Sequence, residues 1–192
     1  DGDADDGPIW HAEAGKSLDS VTDEASVLVL VYMVADNNLE MAAGLDLQEM
    51  MGVGGHPRFR FVLQLDRWDS TQYGSRKDPY DWVGGVSGIP DWTGAKRLVV
   101  RKGRLEEIAD LGSINMADPS NVKDFLTWGM HTYPATRTFL IFWDHGSFPS
   151  VGFGSDHSHS HEGILAEPLR KSIQDSLAAV GRDKVELIGF DA

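Results

Sequence analysis

The chain has 192 residues, 41% of them hydrophobic, enough for one domain with a real core. Its formal net charge of −13 disfavours a general nucleic-acid role, because phosphate binding wants clustered Lys and Arg. There is no cysteine, so no disulfide staples the fold, and no apolar run reaches transmembrane length. The chain begins at Asp1, with neither an initiator Met nor a signal peptide, and a processed or engineered start is the expectation.

Residues 1–25 are polar and acidic, with four Asp in the first six positions, and read as a solvated N-terminal arm. The domain then runs over 26–192. Ser26 to Ala35 is continuously apolar and β-branched, the pattern of a strand covered on both faces. Asp36-Asn37-Asn38 offers a helix N-cap. Leu39, Ala43, Leu47 and Met50 follow at helical spacing, and Gly52 to Gly55 end that helix. Phe59 to Leu65 reads as a second strand. Residues 68–94 form a long loop with Trp68, Tyr73, Tyr80, Trp82 and Trp92, fit either to line a peptide cleft or to pack over the sheet edge.

Lys96 to Ile108 predicts a hairpin turning at Lys102-Gly103. Asp118-Pro119 opens a helix that buries Val122, Phe125, Leu126 and Met130. Thr136 to Gly146 is a buried strand ending in a sharp turn. Residues 147–163 read as a flexible loop. Pro168 opens a third helix, Gly181 closes it, and Val185 to Ala192 is a last strand. Strands alternating with helices predict an α/β fold, a mainly parallel sheet with helices on both faces. Functional residues then belong at the carboxyl ends of the strands.

His145 sits at such an end, followed by Gly146. An imidazole beside a free backbone N–H suits acyl transfer: one pairs with a nucleophile, the other binds an oxyanion. From position alone, a structural histidine capping the strand is the alternative. Asp144 precedes His145, but neighbours on a strand point to opposite faces, so Asp144 reads as structural.

Five segments resemble the clostripain family (C11) of caspase-like cysteine peptidases. They are Val31 to Glu40, Gln64-Leu-Asp-Arg67, Asp110 to Pro119, Phe142-Trp-Asp-His-Gly146 and Ile188-Gly-Phe-Asp-Ala192. The resemblance implies a caspase-like α-β-α sandwich and a secreted or cell-surface bacterial endopeptidase cleaving after Arg or Lys. It implies His145 as catalytic base or ion-pair partner, Gly146 as an oxyanion donor and Asp191 as an acid of the specificity pocket. It also implies a nucleophilic Cys directly after Ala192, in agreement with the His-to-Cys spacing of caspase-type enzymes. The peptide substrate and a second, heavy chain of the same zymogen are the implied partners.

The sequence departs from the family in two ways. Ser147-Phe148-Pro149 stands where more glycine is usual, and the nucleophile is absent. Three readings of that absence stay open: a cut that leaves the Cys on a second chain, a sequence that stops short of it, or a homologue without it. The rival function is therefore a catalytically inactive homologue that binds peptide or protein through the same cleft.

No cofactor is required by the resemblance, but it implies a calcium response. Asp36, Asn37, Asn38 and Glu40 carry oxygens suited to that ion; a helix cap is their other use. Asp156-His157-Ser-His159-Ser-His161-Glu162 is the remaining unusual stretch. If extended, its imidazoles share one face and suit zinc or nickel, which gives a second rival, a metal-binding surface protein. Otherwise the stretch is a solvated loop.

Overall fold

The computed structural model describes residues 25–68, 89–147 and 152–192. The acidic arm up to residue 24, Tyr73, Tyr80 and Trp82 of the aromatic loop, and Phe148 and Pro149 lie outside the described residues. Six strands form one sheet: β1 (Ala25–Ala35), β2 (Phe59–Arg67), β3 (Gly94–Arg101), β4 (Arg104–Gly112), β5 (Ala135–Trp143) and, after a small second sheet, β9 (Leu187–Asp191). Their order is β4-β3-β2-β1-β5-β9. Helices α1 (Glu40–Val53), α2 (Pro119–Thr132) and α3 (Ala166–Ala179) flank it.

β1 is central because its residues can be buried on either side. Every residue from Val27 to Ala35 is buried. Leu28, Leu30, Tyr32 and Val34 join the core under α2 and α3, with Phe125, Leu126 and Leu169. Val27, Val29, Val31, Met33 and Ala35 join the core under α1, with Ala43, Leu47 and Met51. This is the period-2 alternation of a strand, with both faces apolar as a helix-covered sheet demands.

The sheet is mixed. β2, β1, β5 and β9 run parallel, whereas β3 and β4 add an antiparallel hairpin beyond β2. A two-residue turn can only reverse the chain, and at Lys102-Gly103 it does so with Gly103 at φ 71°. α2 begins as the sequence predicts: the Asp118 side chain accepts from the Ser120 N–H, with Pro119 at the first helical position.

The stretch after β5 differs from the expected flexible loop. β6 (Gly146–Ser147), β7 (Gly152–Asp156) and β8 (Glu162–Ile164) make a small antiparallel sheet, and His157–His159 form a 3-10 turn. Burial holds it: the Phe153 ring packs on Phe142 and Phe190, 5.4 and 6.0 Å between centroids. Its glycines hid the element. Gly152 has φ 93°, and a Cβ there would stand 2.4 Å from the Ile164 carbonyl oxygen, so the close approach of β7 and β8 requires glycine.

Candidate active site

The carboxyl ends of β5 and β9 meet. The two strands pair in parallel register, Phe142 opposite Phe190 and Trp143 opposite Asp191. The Asp144 N–H donates to the Asp191 carbonyl at 3.1 Å. A Cβ added to Gly146 would lie 3.2 Å from the Ala192 Cβ. His145-Gly146 therefore abuts the residue that ends the sequence.

His145 is exposed, and its Nε2 lies 3.0 Å from Asn38 Oδ1. Its carbonyl accepts from the Gly154 N–H at 3.0 Å, which ties the turn to β7. Asp144 faces the other way and is fully buried. Its oxygens accept from Asn37 Nδ2 at 2.7 Å and from the Ser155 N–H. Asp144 thus braces the loop beneath His145 and does not pair with the ring.

Asp191 is exposed. It shares the α1 side of the sheet with Trp143, its register partner. Trp143 Nε1 donates to Asp46 Oδ2 of α1 at 2.7 Å. Burial raises the Asp46 pKa, the Trp143 bond opposes this, and the Asp191 charge adds to the rise. Two carboxylates therefore flank one indole on the His145 side. Neither Asn38 as the imidazole's partner nor Asp46 beside Asp191 was legible in the sequence. Asn38 reads as part of a helix start, and Asp46 as a polar residue between buried helix positions.

The opposite face of the same strand ends is acidic. Asp36, Asp66, Asp144 and Asp156 are each at most 2% exposed. Burial pushes Asp144 up to about 7, against its backbone and Asn37 hydrogen bonds. Burial also pushes Asp36 up to about 6, with the Asp156 charge adding to it. Asp66 is held well above the carboxylate range by burial and by the charges of Asp36 and Asp156.

These folded-state pKa values stand above the ordinary 3.8. Between about 4 and 7 the folded chain keeps protons that the unfolded chain has released, so stability falls as pH rises through that window. Thermal melting in chelator should give a higher midpoint at pH 5 than at pH 8. A midpoint that climbs over that range contradicts the burial argument.

The other candidates from the sequence separate. Asn37 Oδ1 accepts from the Leu39 N–H at 2.8 Å, while its Nδ2 serves Val34, Asp144 and Ser155. Glu40 pairs with buried Arg67 at 3.0 Å, and Asn38 faces His145. The four oxygen-bearing residues 36, 37, 38 and 40 thus do not converge on one point. The histidines are not extended. Ser160 and His161 take left-handed backbone, φ 69° and 57°. The rings of His157 and His161 lie 4.1 Å apart, and His159 turns to Asp156. Trp92 lies over the Arg67 guanidinium at 4.8 Å, and Trp68 meets His157 edge-on at 6.0 Å.

No helix among the described residues is long and apolar enough to cross a membrane. No curated protein matches the chain in sequence. In fold it is similar to a secreted C11 cysteine protease from Bacteroides thetaiotaomicron solved with an irreversible peptide inhibitor (20% identity, TM-score 0.57). The match covers 86% of this chain and 42% of that one. A secreted C11 protease of the same organism, "iotapain", gives 14% identity and TM-score 0.58 over 88% and 46%. An inactive zymogen C11 protease from Parabacteroides distasonis gives 18% and 0.50 over 88% and 42%. The chain therefore spans less than half the length of these proteins. The sequence profile of the clostripain family, peptidase C11, matches residues 31–192. That match takes in the carboxyl half of β1, the other five strands of the sheet and both strand ends that meet at His145, and so the chain belongs to the clostripain family of cysteine peptidases.

Proposed function

We propose that the full-length protein is a thiol endopeptidase that cleaves after Arg or Lys. The observation that carries this is the approach of Gly146 to Ala192. Trp143 pairs with Asp191 in parallel register. Two further steps of that register would bring the residue after Ala192 opposite His145. A Cys there would have an imidazole beside it and a glycine N–H next to that.

The reaction follows from those groups. The thiolate, with His145 as its imidazolium partner, attacks the scissile carbonyl carbon and forms a tetrahedral oxyanion. The Gly146 N–H and the nucleophile's own N–H donate to that oxygen. His145 gives its proton to the leaving amine, and the C–N bond breaks. Water, deprotonated by the same imidazole, then hydrolyses the thioester. Asn38 positions the ring through Nε2. Asp191, with Asp46 behind it, attracts the guanidinium or ammonium of the residue before the cut. No cofactor enters these steps. The peptide or protein substrate and a second chain of the precursor carrying the Cys are the partners. The secreted state named for the two Bacteroides proteins supports action outside the cytoplasm.

The test is a peptide ending in Arg with a thiol-reactive group at its carboxyl end, added to the full-length protein. Mass spectrometry should find the label on the residue that follows Ala192. A folded protein that binds the peptide but takes no label is the inactive binding homologue instead.

A further inference from the structure

On the face of the sheet away from His145, three metal-ligating side chains come together: Asp36 at the end of β1, Asp156 at the end of β7 and His159 in the 3-10 turn. One donor atom from each lies within 4.8 Å of the others. Ligands of a single zinc ion stand roughly 3 to 4 Å apart, given bonds of about 2.0–2.2 Å. The His159 Nδ1 already lies 3.0 and 3.1 Å from the two Asp156 oxygens, so a small movement of Asp36 completes the set.

A second observation points to a ligand. Asp36 is 2% exposed, and its Oδ1 is buried without a hydrogen-bond partner. The other oxygen accepts from the Ser158 N–H at 3.2 Å. Asp156 is 0% exposed and accepts from the N–H groups of Met116 and His159. Neither carboxylate has a Lys or Arg partner among the described residues. Apart from the His159 ring beside Asp156, the two buried carboxylates have no cation within reach among the described residues; such a pair calls for a positive charge between them, and a dication balances both.

We infer that Asp36, Asp156 and His159 form a binding site for one divalent ion of the zinc class, independent of the peptidase reaction. The imidazole donor favours zinc, or its cobalt or manganese relatives, over calcium, whose ligands are oxygens. Three protein ligands leave a fourth position for water. The ion would fasten two loops that backbone contacts already join, since the His157 N–H donates to the Asp36 carbonyl at 3.0 Å. The rings of His157 and His161 meet each other at a tilt of 53° and lie outside the set.

Full-length protein stripped with chelator and titrated with zinc chloride should take up one ion per chain and melt at a higher temperature. With cobalt chloride it should develop visible absorption of a low-coordinate site. His159→Ala and Asp36→Asn should each weaken zinc binding at least about tenfold, the smallest loss expected even of a residue that only orients a ligand. His161→Ala should not. Asp36→Asn keeps the side-chain shape, and circular dichroism verifies that each variant is folded. Absence of zinc binding by folded wild type overturns the site and leaves the two carboxylates to share a proton. Binding lost with His161→Ala but kept in Asp36→Asn assigns the metal to the His157–His161 pair and also overturns it. Calcium binding without zinc binding excludes the imidazole and does the same. Each outcome is independent of whether the protein cleaves peptides.

Discussion

Replacing His145 by alanine in the full-length protein is expected to lower kcat/KM toward Arg- and Lys-containing peptides by about 10²–10⁴-fold, the range that a positioned proton-transfer group contributes. The loss should fall on kcat, because the imidazole acts on the leaving amine more than on the bound ground state. Stability should scarcely change. The side chain is exposed and, among the described residues, its one hydrogen bond is to Asn38 Oδ1, so an effect within about 0.5 kcal/mol is typical of such a position. The contrast with Asp144, one residue earlier and wholly buried, makes the experiment specific. Loss of His145 removes chemistry from an intact sheet, whereas loss of Asp144 would strand the Ser155 N–H and take one acceptor from Asn37. Steady-state kinetics beside thermal melting measures both, and turnover unchanged in His145→Ala removes this residue from the mechanism.

Asp191→Asn should reduce kcat/KM for Arg and Lys substrates about ten- to a hundredfold, the worth of a charge-assisted hydrogen bond. Peptides with an uncharged residue of similar length at that position should be cut at nearly the wild-type rate. Asp46→Asn should act in the same direction and more weakly, because Asp46 is held back by Trp143 Nε1 at 2.7 Å. The ratio between charged and uncharged substrates is the deciding quantity. A general loss on both indicates damage to the β5–β9 edge, and an unaltered ratio means that basic residues are selected elsewhere.

Local pattern was informative wherever one residue's neighbours in sequence set its environment. The apolar run of β1, the capped start of α2 and the hairpin at Lys102-Gly103 formed where the sequence predicts them. The resemblance carried by short segments such as Phe142-Trp-Asp-His-Gly146 agrees with the profile match over residues 31–192. Pattern failed at residues 152–164. Glycine, serine and histidine there read as solvated loop, yet Phe153 buries against β5 and β9, Ile164 joins the same core, and the segment orders into strands. A loop composition is compatible with a strand when the close approach itself requires glycine.

The sequence by itself determined the α/β class, the alternating faces of the strands and the identity of His145, Gly146 and Asp191 as residues at strand ends. Strand period and helix caps are short-range properties, encoded within a few positions. Only the tertiary structure decided that Gly146 lies against Ala192, that Asn38 faces the imidazole, that Asp46 stands on the side of Asp191, and that His159 turns to the buried Asp156, with Asp36 close by. Those partners are 46 or more residues apart except within the 3-10 turn, and loop-closing contacts of that length depend on how the strands order in the sheet.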